Sequence, residues 1–147
     1  MILALDSEAV VALGERRGRA STEAHAALAS AVRNRRPVVV PAVVLAELYR
    51  GPHRSSMVDS LLSRDRGIHV LPTDRSLARL VGGVLLAAGA GSAMMADAHV
   101  VAAAVDGGGG VVLTGDPGDL GRLAAPYPHI TVVDVATGAS AQEGPAR

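Results

Sequence analysis

Five short aliphatic runs recur along the chain, at residues 2–5, 38–40, 68–71, 111–114 and 130–133, and segments with helical spacing of apolar positions separate them. A run apolar at every position suits a strand covered on both faces, and strands joined by helices pair in parallel. The pattern predicts a three-layer α/β/α fold with a central, mainly parallel sheet of four to five strands. Helices are expected over 7–13, 21–35, 42–49, 55–63, 75–88 and 97–105, with a turn of helix over 119–123. Ser7 and Asp74 are the expected caps of the first and fifth, and Gly51-Pro52 reads as a stop. On the second helix Ala24, Leu28, Ala31 and Val32 make the inward face. Residues 1–135 are expected to form one domain. From 136 to 147 the chain turns to Gly, Ala, Ser, Pro and polar residues and is expected to be a mobile tail.

A chain of 147 residues with no Trp, no Phe and two tyrosines must build its core from Val, Leu, Ala and Ile. The absence of Cys rules out disulfides and thiolate metal sites and suits a reducing cytoplasm. All fourteen basic residues are Arg, which removes P-loop NTPases and Schiff-base enzymes. Net charge is zero but polarised: residues 1–79 hold twelve Arg against eight acids, and residues 80–147 hold two against six. The arginine runs Arg16-Arg17-Arg19 and Arg33-Arg35-Arg36 either track a nucleic-acid backbone or merely solubilise helix ends. The uncharged stretch 80–96 approaches transmembrane length, but its Gly and Ala content reads as a buried helix with its loop. No signal peptide is visible, since the chain reaches Asp6 almost at once.

Four acids stand where a parallel sheet delivers groups to one crevice. Asp6 closes the first aliphatic run, Asp116 closes the fourth, Glu47 lies on the helix after the second, and Asp97 opens a later helix. Ligands of open α/β sheets bind outside the carboxyl ends of the strands. Crowded carboxylates need a neutraliser, and a hard divalent cation with oxygen ligands, Mg²⁺ or Mn²⁺, is the simplest. Such chemistry usually serves phosphate esters. Each acid also has a plain structural reading: Asp6 and Asp97 as acids favoured at helix starts, Asp116 as a turn residue, and Glu47 as half of a pair with Arg50. His99 is two residues from Asp97, a spacing that does not share a helix face, and reads as surface or core. Residues 107–110, four glycines, follow a helix and open a strand, which makes them a helix stop and not a phosphate loop.

The pieces Leu5-Asp6-Ser7, Ala46-Glu47-Leu48-Tyr49-Arg50-Gly51, Asp97-Ala98-His99-Val100-Val101 and Leu113-Thr114-Gly115-Asp116-Pro117-Gly118-Asp119-Leu120, in this order, resemble PIN-domain ribonucleases, in particular VapC-type toxins of toxin–antitoxin pairs. The resemblance runs from Met1 to about Val135. It implies a PIN-like fold, a metal-dependent endoribonuclease acting on structured RNA, and a quartet of Asp6, Glu47, Asp97 and Asp116 for metal binding and catalysis. Ser7 and Thr114 would orient carboxylates, and Asp119 would share or replace the role of Asp116. A homodimer in the cytoplasm, away from membranes, and a cognate antitoxin covering the site are implied as well. Two other readings stand beside this one. An aspartyl-phosphate phosphohydrolase would use Asp6 as nucleophile, but it wants an Asp at position 8, where Glu8 stands, and a supporting Lys, which is absent. A non-catalytic PIN-fold module would dock RNA or protein with the same surface.

Overall fold

A computed structural model of the chain describes residues 1–140. Five strands form one wholly parallel sheet: β1 (Ile2–Leu5), β2 (Val38–Pro41), β3 (Ile68–Leu71), β4 (Gly110–Thr114) and β5 (Ile130–Asp134). Their spatial order is β3-β2-β1-β4-β5. The helices between them are α1 (Ser7–Gly14), α2 (Arg19–Arg33), α3 (Ala42–Leu48), α4 (Pro52–Arg64), α5 (Arg75–Ala88), α6 (Met95–Asp106) and α7 (Pro117–Ala124). A 3₁₀ turn, Ser92–Met94, leads into α6. Parallel crossovers are right-handed. Stepping from β1 to β3 therefore lays α1 to α4 on one face, and stepping back through β4 to β5 lays α5 to α7 on the other. The direction reverses between β1 and β4, and that switch point opens a crevice at the carboxyl ends of the two strands.

The core is aliphatic, as the composition requires. Leu5, Leu13, Val40, Val44, Leu61, Leu113, Leu120, Leu123 and Ile130 are among its fully buried side chains. Ala98, Val100, Val101, Ala102, Ala103 and Ala104 bury α6 all round, which explains why that helix has no polar face. Cutting Leu113 back to Ala here costs about 2–5 kcal/mol.

Several expectations are corrected by particular contacts. The cap of α1 is Asp6, not Ser7, and Ser7 makes no side-chain hydrogen bond among the described residues. Gly51-Pro52 ends α3 but also starts α4, because a proline at the first helical position gives up an N–H that has no partner anyway. Helix α6 opens at Met95, so Asp97 lies inside its first turn. Val32 is 66% exposed and does not share the inward face of Ala24 and Ala31. No helix among the described residues is long and apolar enough to cross a membrane, and the uncharged stretch is α5 with its loop. Residues 136–140 turn back on β5: Gly138 N–H donates to Asp134 O at 2.7 Å, and Ser140 bridges Val133. The rest of the expected tail, 141–147, lies outside the described residues.

Candidate active site

Asp6 ends β1 at the switch point and is only 4% exposed. Its Oδ1 accepts from the Ala9 N–H at 2.8 Å, and its Oδ2 accepts from the Thr114 hydroxyl and from the Gly115 N–H at 3.3 Å. Burial pushes its pKa above the ordinary carboxylate value; the Thr114 and Ala9 hydrogen bonds oppose that rise, the charge of Glu8 adds to it, and Gly115 lowers it again. The capping role foreseen for Asp6 is therefore real, but it uses one oxygen only. The other faces the β4–α7 junction.

Thr114 is fully buried at the end of β4. Its hydroxyl donates to Asp6 and accepts from the Asp116 N–H at 2.8 Å. One side chain thus fixes the ends of two neighbouring strands to each other. Asp116 caps α7, its Oδ1 accepting from the Asp119 N–H at 3.2 Å, and both acids are exposed.

Asp97, partly buried in the first turn of α6, is where these charges meet. Its pKa is pushed up to about 6, first by burial and then by the charges of Asp6, Asp116, Asp119 and Glu47, in that order. Four acids, carried by the end of β1, by α3 and by α7, therefore act on one carboxyl group. Asp116 acts more strongly on it than Asp119 does. Glu47 is exposed on α3 and forms no ion pair with Arg50; the ion pair among the described residues joins Arg64 to Asp65. A bare apolar helix needed either a partner or solvent for that carboxylate, and solvent is what it has.

Glu8 was passed over as a member of this group. It lies in the first turn of α1 and raises the pKa of Asp6. It also sits against Gly115 so closely that a Cβ there would fall 1.5 Å from its Oε2. The signal was the glycine after Thr114, but its meaning depends on which helix faces it. His99 is buried, with Nδ1 against Met95 O at 2.7 Å, and takes no part in the cluster.

The donor set suits a hard divalent cation. It offers carboxylate oxygens only, from separate elements, and their mutual repulsion raises the pKa of the central member. Among the described residues, no three His, Cys, Asp or Glu side chains form a group that can hold a metal ion as they stand. Asp6, Asp116, Asp119 and Glu47 all bear on Asp97, the half-buried member of the set.

The PIN domain family model matches residues 3–126, well over half of the chain. The span contains Asp6, Glu47, Asp97 and Asp116. No curated protein matches the chain. The match supports nuclease-type function and the use of a divalent metal.

Proposed function

The chain belongs to the PIN-domain family, and on that premise we propose that it is a Mg²⁺- or Mn²⁺-dependent endoribonuclease, the toxin of a toxin–antitoxin pair, hydrolysing phosphodiester bonds of structured RNA. The observation that supports this most is that four other acids bear on the half-buried Asp97, whose pKa is pushed up to about 6 first by burial and then by their charges. Structural caps and turn residues have no reason to converge on one half-buried carboxyl.

Asp6, Asp97 and Asp116 would hold the cation, with Glu47 beside them. Bound there, it supplies a water acidic enough to act as hydroxide near neutral pH and charge to offset the developing phosphorane. The protein's part is orientation and proton balance. Asp6 is held by three hydrogen bonds, so one of its oxygens keeps a fixed direction. Thr114 couples that direction to the backbone of Asp116. Asp97, whose pKa burial and then its acidic neighbours push up to about 6, would have to be ionised to serve as a ligand. A homodimer, a cytoplasmic setting and an antitoxin that covers the acids complete the proposal.

Incubation of structured RNA with the protein, with and without Mn²⁺, tests it directly. Cleavage that needs metal and vanishes in Asp97→Asn supports the reading. Binding without cleavage in either metal would leave a non-catalytic docking module instead.

A further inference from the structure

Helices α2, α5 and α6 end in the same way. The first residue past each cap region donates to a carbonyl three positions back, and the next donates five back: Arg35 to Val32 and Arg36 to Ala31, Gly89 to Leu86 and Ala90 to Leu85, Gly108 to Val105 and Gly109 to Ala104. This closure demands a left-handed residue, which is ordinarily glycine. Gly89 and Gly108 obey, but at the end of α2 the position is Arg35, with φ 54°. It is the only non-glycine with positive φ among the described residues. An arginine pays a steric penalty there that glycine escapes.

Arg35 lines a groove of about 420 Å³ at the amino ends of β2 and β3, together with Arg36, Arg64 and Arg66. The sheet register explains the convergence. Val38 pairs with Ile68, and Arg36 and Arg66 each lie two residues before these paired positions, at the same end of the sheet. Asp65, the groove's one acid, is 3.7 Å from Arg64. Arg35, Arg36 and Arg66 make neither an ion pair nor a side-chain hydrogen bond among the described residues. Leu28 and the exposed Val32 give the groove an apolar wall. Compensation of helix dipoles accounts for Arg64, in the last turn of α4, but not for Arg35, Arg36 and Arg66, because Arg33 already occupies the last turn of α2.

We propose that this groove is a nucleic-acid backbone site, in which Arg35, Arg36 and Arg66 bind phosphates of the RNA strand whose other part lies at the acids. The proposal rests on the nuclease reading. Arginine forks match phosphate oxygens in pairs. Four cations facing one acid complement a chain of evenly repeated negative charge better than a peptide, which would need a run of acidic side chains. The groove and the acid cluster lie at opposite ends of strands of four or five residues, at least about 15 Å apart at roughly 3.3 Å per residue. Only a strand longer than a few nucleotides touches both.

Anisotropy titrations in EDTA, with a long single-stranded RNA and with a trinucleotide, decide the matter. In Arg36→Gln/Arg66→Gln the long RNA should bind at least about tenfold more weakly, and its salt slope should fall by about 1.4 for two lost phosphate contacts. The trinucleotide should bind as before. An unchanged slope for the long RNA overturns the proposal, as does displacement of polyglutamate, but not of RNA, by the double substitution. In Arg35→Gly the melting temperature should be no lower than that of the original protein while long-RNA affinity falls; a lower melting temperature or an unchanged affinity removes Arg35. If the protein cuts no RNA in any metal yet binds it through Arg36 and Arg66, the nuclease reading fails and the backbone site stands. If it cuts RNA to which those two residues contribute nothing, the nuclease reading stands and the backbone site falls.

Discussion

At the carboxyl ends of β1 and β4, a buried Asp6 takes three hydrogen bonds and a half-buried Asp97 is pressed by four other acids. At the amino ends of β2 and β3, four arginines line an open groove with a single aspartate among them. The same sheet carries both, yet the energetics differ. Charge at the acid end is desolvated and mutually repulsive, so it works against folding. Charge at the arginine end is screened by water and nearly neutral to stability, except at Arg35, where the cost lies in the backbone. Removing a crowded charge at the acid end should therefore move activity and stability in opposite directions, whereas most changes at the arginine end should move binding alone.

The largest test of that contrast is Asp97→Asn. RNA cleavage should fall by on the order of a hundredfold or more, because a cluster member is lost, while the melting temperature of the metal-free protein rises. Cleavage at the original rate would take Asp97 out of the site; a lower melting temperature would mean that its charge is not repelled.

Thr114→Val comes next. The substitution removes the donor to Asp6 and the acceptor for the Asp116 N–H at a fully buried position. It should cost about 1–3 kcal/mol in denaturant unfolding and weaken Mn²⁺ binding by about 10- to 100-fold in calorimetry. Undiminished metal affinity would show that the two strand ends need no tie.

A gentler probe is pH. The folded-state pKa of Asp97 is raised from 3.8 to about 6, so the folded protein holds this proton more tightly than the unfolded chain does. Stability of the metal-free protein is then greatest below about pH 4 as far as this group is concerned, and it declines as pH climbs to about 6. The Asp6 shift has the same sign. Saturating Mn²⁺ should reverse the slope, because the bound form needs ionised carboxylates. Unfolding curves across that range, with and without metal, give the answer, and a flat metal-free profile would contradict the crowding at Asp97.

The smallest effect is expected from replacing Arg16, Arg17 and Arg19 together by Gln. Stability should scarcely change, and the salt slope of RNA binding should fall only if this run also touches phosphate. A slope loss larger than that of Arg36→Gln/Arg66→Gln would move the backbone path to the other arginine run.

Much of the fold could be read in the sequence because each strand is a short, mostly aliphatic run with a clear stop. The ends of β3 and α5 fall where the pattern puts them, and Asp74 caps α5 through the Leu77 N–H. Less visible were features fixed by distant partners. The start of α4 hid behind Pro52, which serves as a stop or a start depending on what precedes it. The left-handed Arg35 gave no signal, because arginine there contradicts local preference. Asp6, Glu47, Asp97 and Asp116 were ambiguous singly and stood out only by their joint placement, and the sequence did not show that Asp97 is the half-buried one on which the others bear. Nor did it reveal Glu8, whose proximity depends on α1 meeting the β4–α7 loop.

The hydroxyl of Thr114 joins Asp6 across 108 residues of chain. Since β1 is made first and its neighbour β4 last but one, a growing polypeptide carries Asp6 with only Ala9 to hold it, long before Thr114 and Gly115 exist to hold its other oxygen. Domains tend to take shape as they emerge, amino-terminal parts first, but here the central strand has to wait for the fourth. Until synthesis has passed Gly115, the second oxygen of Asp6 has neither of the partners that hold it in the finished sheet.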